Sequence, residues 1–178
     1  MRYYLHILLA LFLFGCATQN KVVSESDLNA LKDVVYNKTI EFKAKQANPL
    51  VTPFSIDNGS LLILGSNSHY INLTNVENHV HLNKDQISMK LPFFGQHNLT
   101  NNYNGQKVNL NLKEQVQNKT VTYNARKKAY TIRMWVKGDE EALELKYTLY
   151  ANNNASLIVD STHRNTITYN GEWTARNN

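Results

Sequence analysis

The sequence predicts a mainly β protein, in which an antiparallel meander forms a barrel or a sandwich and one amino-terminal helix packs on it. Two observations indicate this class. From Ile40 onward, apolar and polar residues alternate over short segments, which is typical of strands that bury one face. Between those segments, Asn, Gly and Asp recur at the short intervals expected of tight turns between neighbouring strands.

Residues 1–15 are predicted to be a lipoprotein signal peptide. Arg2 supplies a positive charge, the stretch from Leu5 to Phe14 is apolar apart from one histidine, and polar residues follow soon after. A charged start, about ten apolar residues and a small residue at the cleavage point make a secretory signal. The apolar run is too short to span the roughly 30 Å apolar layer of a membrane as a finished helix. We expect cleavage between Gly15 and Cys16.

Cys16 is the only cysteine of the chain. The order Leu13-Phe14-Gly15-Cys16 resembles a bacterial lipobox, which implies that Cys16 is lipidated. The alternatives are an ordinary signal peptide with a chance cysteine, or an uncleaved anchor. A single cysteine excludes a disulfide framework and a cysteine-rich zinc site. By resemblance to known sorting rules, Ala17 favours the outer membrane, and the lack of a following acidic run favours its periplasmic face.

Residues 16–23 form the predicted lipidated tether, and residues 24–178 form the single β-rich domain, which has an ordinary domain length. Ser24 to Tyr36 is the one predicted helix, and either Ser24 or Ser26 can cap it. Its apolar residues share one face, which we expect to pack on the sheet. A membrane-surface helix is the alternative, which the weakly basic opposite face disfavours. The apolar residues are Leu28, Leu31, Val34 and Val35.

The predicted strands follow the helix in order. In the first, Ile40, Phe42 and Ala44 point one way and charged residues point the other, until prolines break the strand. Short strands then run over residues 61–64, 70–73, 80–82 and 86–91, with a loop at 96–107. The last third contains hairpin strands over residues 117–123, 129–136, 142–150, 156–160 and 166–173.

An internal cavity between the sheets would favour a carrier of small molecules, and a closed core would argue against one. Its lining would come from Phe42, Tyr130, Ile132, Met134 or Trp135.

The dense basic cluster Arg126-Lys127-Lys128 falls at a turn between two predicted strands. A solvated hairpin tip is the simpler interpretation. Contact with anionic lipid headgroups is the alternative.

Three segments together resemble a known family. They are Ile40 to Pro49, the box Met89 to Gly95, and the stretch from Ala155 to Gly171, which contains Arg164 and Tyr169. They resemble the family catalogued as domain of unknown function 4251, a group of uncharacterised Bacteroidetes envelope lipoproteins, over roughly residues 27–173. The resemblance implies a predominantly β domain in the cell envelope and implies no activity.

The box also has a physical interpretation. Pro92 lacks a backbone donor and belongs at a strand end or edge. Phe93 and Phe94 must point to opposite faces if the backbone is extended, and Gly95 permits a bend. A structural corner is the simpler interpretation, and a ligand rim formed by Phe93, Phe94 and Arg164 is the functional one. Arg164 itself is expected to make hydrogen bonds at a hairpin tip, with an anion clamp as the alternative.

Candidate catalytic and metal-binding groups are sparse. His79 and His81 share one strand face, and a metal could use them with a third ligand such as His69 or His97. Half-exposed strand histidines are the simpler interpretation, so we expect no metal and no cofactor. The run Asp139-Glu140-Glu141 is expected to be a solvated loop and not a calcium site. Because no nucleophile elbow or phosphate loop occurs in the sequence, we expect no enzyme. Paired glycosidase carboxylates are the open alternative, although the sequence nominates no particular pair.

The sequence therefore predicts an outer-membrane lipoprotein that faces the periplasm and acts as a non-catalytic binding module. Besides the membrane that holds the lipid anchor, its expected partner is an amphiphilic small molecule or an envelope protein. Nucleic acid is not expected, because the chain is secreted and carries no nucleic-acid-binding signature. A structural or assembly lipoprotein with no small-molecule ligand is the alternative.

Overall fold

The computed structural model describes residues 23–50, 66, 70–95, 109–138 and 141–176. The predicted signal peptide, most of the tether, the expected strand at 61–64 and the expected loop at 96–107 lie outside these residues. Within the described part of the chain, one helix precedes nine strands.

Helix α1 spans Glu25–Asn37 and confirms the predicted helix. Ser24 is its cap, because the Ser24 hydroxyl accepts a hydrogen bond from the Asp27 backbone N–H at 3.1 Å. The Asp27 carboxylate accepts one from the Ser24 N–H at 3.0 Å, so two otherwise unpaired donors are satisfied. Leu31 and Val34 bury the apolar face of the helix. Among the described residues, no helix is long and apolar enough to cross a membrane.

The strands form one antiparallel sheet. Their bounds are β1 Thr39–Pro49, β2 Ile71–Asn72, β3 His79–Asn83, β4 Gln86–Pro92, β5 Asn109–Asn124, β6 Ala129–Lys137, β7 Ala142–Tyr150, β8 Asn154–Ser161 and β9 Ile167–Arg176. The predicted hairpin strands of the last third are confirmed. Their ends lie within three residues of the predicted ends, except for the start of β5.

The sheet closes into a barrel, which decides between the two architectures that the sequence left open. Eight strands follow one another in the order β1, β3, β4, β5, β6, β7, β8, β9, and β9 pairs back to β1. The closing ladder is long, from Thr39 opposite Arg176 to Pro49 opposite Ile167. Strand β2 is an extra strand that pairs with the second half of β1. Closure removes the free sheet edges that a sandwich would retain.

The barrel has two ends. At the helix end, where Thr39 and Arg176 lie, α1 leads into β1 and β9 finishes. At the mouth end, where Pro92 and Ile167 lie, β4 finishes and β9 begins. The hairpin turns between β5 and β6 and between β7 and β8 lie at the helix end, and the turns that lead into β7 and β9 lie at the mouth end.

The barrel interior is filled with side chains. Alternate residues of each strand point inward, and the largest of them, Phe42, Tyr147 and Tyr169, are at most 1% exposed. The rings of Phe42 and Tyr147 meet edge to face, with centroids 5.6 Å apart. Of the residues named above as lining for a cavity, Trp135 does not belong there. It follows the inward-facing Met134, so the alternation of the strand points it outward, and it is 42% exposed.

Strand β5 starts earlier than the sequence predicts. It begins at Asn109, whereas the sequence predicted a strand from residue 117. Leu110, Leu112 and Val116 do alternate there with exposed polar residues, and Glu114 is the one interruption, so the missed stretch carries a strand pattern. The second half of β5 pairs with β6, and Asn118 adopts a left-handed φ of 49° at an irregularity in that pairing. A bulge of this kind increases the local twist of the strand.

Candidate functional site

The box around Pro92 and the segment around Tyr169 meet at the mouth end. Pro92 is the last residue of β4, which confirms the expected strand end. The Tyr169 hydroxyl donates a hydrogen bond to the Pro92 carbonyl oxygen at 2.8 Å. Burial raises the pKa of Tyr169, and the nearby charge of Arg164 opposes that shift. The hydroxyl therefore stays protonated and acts as a donor that ties β9 to the end of β4.

Arg164 is buried beside this hydrogen bond and forms a forked ion pair with Glu141. Its Nε lies 2.9 Å from Oε1 and 3.1 Å from Oε2 of the carboxylate, and its Nη2 lies 2.9 Å from Oε1. The two side chains are only 5% and 15% exposed. A planar guanidinium matches a carboxylate in this two-point geometry, which explains why an arginine can be buried here.

Phe93 lies under the guanidinium and completes the cluster. The Arg164 Cζ atom is 5.1 Å from the centre of the Phe93 ring, which is a cation–π distance. A Cβ atom at Gly95 would lie only 2.7 Å from Cζ of that ring, so a side chain there would displace it. We call Phe93, Gly95, Glu141, Arg164 and Tyr169 the mouth cluster. At the mouth end it combines an aromatic contact, a buried ion pair and the Tyr169 hydrogen bond.

The mouth cluster unites two of the three predicted rim residues. Phe93 and Arg164 are in contact, whereas Phe94 is half-buried and packs against the hydrophobic core. Arg164 lies at the predicted turn between β8 and β9. A ligand rim at these residues stays a prediction.

Glu141 is the residue of this cluster that sequence reasoning missed. The prediction of a solvated acidic loop is wrong for Glu141, because its carboxylate binds Arg164 and also accepts a hydrogen bond from the Ser161 hydroxyl. Asp139 and Glu140 lie outside the described residues. The register of the β7–β8 hairpin could have revealed this pair. Leu143 pairs with Ser161, so Glu141 and Arg164, which lie just beyond these two residues, are neighbours.

The two candidate metal ligands lie on the outer wall. His79 and His81 are half-buried on β3, and their rings stack with centroids 4.8 Å apart. His81 Nε2 lies 3.9 Å from a carboxylate oxygen of Glu41. The described residues contain no group of three or more His, Cys, Asp or Glu side chains that could hold a metal ion. His69 and His97, the suggested third ligands, lie outside them.

A polar groove of about 410 Å³ runs along the outer wall, where β1 bulges in its ladder with β9, and residues of β8 complete the lining. Gly171 makes this close approach feasible, because a Cβ atom there would lie 2.1 Å from the backbone oxygen of Lys43. An ion pair between Lys45 and Glu172 crosses the groove. The lining is Lys45, Gln46, Tyr150, Asn154, Ala155, Ser156, Asn170, Gly171 and Glu172. The amides, the hydroxyls of Tyr150 and Ser156 and the paired charges suit a polar partner.

Comparisons with known proteins identify relatives by family and by fold. A family model described as "Domain of unknown function (DUF4251)" matches residues 23–173. The crystal structure of a DUF4251 family protein from Bacteroides eggerthii DSM 20697 superposes with a TM-score of 0.56 at 14% sequence identity. The match covers 84% of this chain and 88% of the other. At this identity the likeness shows a shared fold alone. None of the curated proteins matches the chain significantly.

Proposed function

The chain belongs to the DUF4251 family, and we propose that it is a lipid-anchored, non-catalytic binding module of the bacterial envelope that recognises its partner with its outer surface. The anchor is a lipid on Cys16, which becomes the first residue once the signal peptide is cleaved between Gly15 and Cys16. The site of action is the outer membrane, on its periplasmic face. The partner is an envelope protein.

One observation carries the choice of an outer surface: the barrel interior is filled. Phe42, Tyr147 and Tyr169 occupy the space that would hold a ligand in a hollow barrel of eight strands, and each is at most 1% exposed. Protein interiors are normally close-packed, so one filled by such side chains has little room for a guest molecule. Of the two kinds of binding module, a carrier that encloses an amphiphilic small molecule is therefore less well supported than one that binds a partner on its outer surface.

The polar groove supports a partner on the outside. Its volume of about 410 Å³ lies within the usual range of binding pockets, about 300–1,000 Å³. Its side chains supply both donors and acceptors, and the Lys45–Glu172 pair can exchange partners at modest cost because both groups are about half exposed. An extended polypeptide segment of a neighbouring envelope protein fits this chemistry, because its backbone amides offer the complementary hydrogen bonds.

Site-specific photo-cross-linking in living cells tests the groove. A photoreactive phenylalanine analogue replaces Ser156 or Asn154 in the groove, and Asn111 on the exposed wall of β5 serves as the matched control. We expect one discrete cross-linked product from both groove positions and none from the control. Equal products from all three positions, or no product from the groove, would contradict the proposal and favour a structural lipoprotein.

Native mass spectrometry of the full lipidated chain in detergent tests the filled interior. We expect the mass of the polypeptide with its own lipid and no further stoichiometric small molecule. A reproducible bound molecule that survives mild activation would overturn the choice of the outer surface and restore the carrier hypothesis.

A further inference from the structure

The point at which the tether enters the domain is fixed to the tip of the β5–β6 hairpin. The Lys128 ammonium donates a hydrogen bond to the backbone oxygen of Val23 at 3.2 Å. Val23 directly precedes the helix cap Ser24. The chain that leads back to Cys16 therefore leaves the domain beside this tip, at the helix end of the barrel.

The tip presents concentrated positive charge. Arg126, Lys127 and Lys128 are all exposed, and neither Arg126 nor Lys127 makes a side-chain hydrogen bond or ion pair with any described residue. The acids closest in sequence to the tether, Glu25 and Asp27, lie in the first turn of α1. There the positive end of the helix dipole offsets part of their charge. Three basic residues against two partly offset acids leave the tip with a net attraction for anions.

Two exposed tyrosines lie beside the base of the β5–β6 hairpin tip. Tyr123 and Tyr36 are 45% and 57% exposed, and both lean on the buried ring of Tyr130, with centroid distances of 4.9 and 6.2 Å. Their rings are thus held at the surface with the apolar body against the protein. Tyrosines in this arrangement, beside basic residues, are characteristic of surfaces that lie in the interfacial region of a membrane.

We propose that the helix end is the face this protein turns toward the membrane, and that Arg126, Lys127 and Lys128 bind anionic lipid headgroups there. The inference rests on the proposed lipid anchor. Fully extended, the seven residues from Ala17 to Val23 reach at most about 25 Å, so the anchor keeps the tip near the headgroups. Each basic residue close to an anionic surface strengthens attachment about fivefold. The anchor thus holds the domain, and the tip orients it with the mouth end pointing away.

The test uses the full lipidated chain in vesicles of phosphatidylcholine with or without phosphatidylglycerol. Because the lipid occupies Cys16, a cysteine introduced at Ala125 in the tip, or at Asn111 as the control, is the one thiol available to a fluorophore. Lipids with a nitroxide on the headgroup quench any fluorophore nearby. We expect strong quenching at position 125 in the anionic vesicles, at least about fivefold weaker quenching at position 111, and a loss of the difference at high salt.

Charge reversal distinguishes lipid binding by the basic residues from closeness to the membrane that the anchor alone imposes on the tip. The triple variant R126E/K127E/K128E should reduce quenching at the tip to the level seen without phosphatidylglycerol. The matched variant K113E/K137E/K146E changes the same net charge at exposed lysines elsewhere and should leave quenching at the tip unchanged. Equal quenching at both fluorophore positions, or equal effects of the two triple variants, would overturn the inference.

The intact mass of the purified chain distinguishes the two levels of the proposal. If that mass lacks acyl chains, the proposed anchor fails. If the acyl chains are present and the tip fluorophore is unquenched, the anchor stands and the orientation proposed here is wrong.

Discussion

The two ends of the barrel use charge in opposite ways. At the mouth end, the charge of Arg164 is buried and neutralised by Glu141 against the ring of Phe93. At the helix end, Arg126 and Lys127 are exposed and lack partners among the described residues. A buried, paired charge contributes to the structure, and its loss is costly, whereas an exposed one contributes little to folding and remains available for binding. The difference assigns stability to the mouth end and supports the membrane contact that we propose for the helix end.

Removal of one partner of the buried pair should have the largest effect. Glu141→Ala leaves Arg164 buried without a counter-charge, and we expect the free energy of unfolding to fall by about 3–5 kcal/mol. Glu144→Ala is the matched control, because its ion pair with Arg133 is partly exposed and should contribute less than about 1 kcal/mol. Urea unfolding followed by tryptophan fluorescence measures both. Similar losses for the two variants would contradict the division between the ends.

Alkaline pH should destabilise the barrel through its buried tyrosines. Burial raises the pKa of Tyr147 and of Tyr169 above the ordinary value of 10.0. A raised folded-state pKa favours the protonated form, so this stabilisation is fully present below pH 10 and is lost as the pH rises above it. Each buried tyrosine should cost up to about 1.4 kcal/mol per pH unit above 10. Urea unfolding between pH 9 and 11 should show a steeper loss for the wild type than for the variant Y147F/Y169F.

The same two tyrosines form a matched pair at neutral pH. Tyr169→Phe removes the hydrogen bond to the Pro92 carbonyl at the mouth end and should cost about 1–2 kcal/mol. Tyr147→Phe removes a buried hydroxyl that has no hydrogen-bond partner in the described structure, so it should be neutral or slightly stabilising. Thermal unfolding of both variants measures the difference. A larger loss for Tyr147→Phe would show that its hydroxyl has a partner, such as an internal water.

The helix cap gives a smaller effect at the other end. Ser24→Ala removes the hydroxyl that accepts the Asp27 N–H and should lower the free energy of unfolding by about 1 kcal/mol. Ser26→Ala is the control, because Ser26 is exposed within the helix and should change stability by less than about 0.5 kcal/mol. Circular dichroism during urea unfolding reports both. Equal losses would show that the cap does not stabilise α1.

The smallest effect on folding should come from the hairpin tip. The variant R126E/K127E/K128E changes exposed side chains and should alter the free energy of unfolding in detergent by less than about 0.5 kcal/mol. Its effect on membrane contact should be large, as proposed above. If this variant unfolds more easily by several kcal/mol, the helix end would carry stability as well, and the contrast between the ends would disappear.

Local patterns predicted most of the strands and the helix, because alternation and capping are encoded within a few residues. Ile40, Phe42 and Ala44 alternate in the sequence and point into the barrel. Closure of the sheet was not predictable in this way. It depends on the ladder between β1 and β9, whose partners Thr39 and Arg176 are far apart in the sequence. Neither strand carries a local mark that selects its distant neighbour, so barrel and sandwich stayed equal alternatives.

The candidate site was predicted only in part, because it too combines local patterns with long-range contacts. Phe93 and Arg164 were singled out by type and by their position at turns, and they do meet. The contact of Arg164 with Glu141 requires the β7–β8 hairpin register, which follows from the strand bounds but not from the acidic run itself. The basic tip was visible in the sequence, whereas its contact with the start of the tether at Val23 is a long-range contact that only the fold reveals.

The proposed lipid on Cys16 is the premise on which the envelope role and the orientation both depend, and metabolic labelling tests it most directly. Cells that produce the full chain grow with a radioactive or clickable fatty acid, and the purified protein is examined for incorporated label. We expect label in the wild-type chain and none in Cys16→Ala. Label that persists in Cys16→Ala, or an unlabelled wild-type chain, would contradict the lipid anchor.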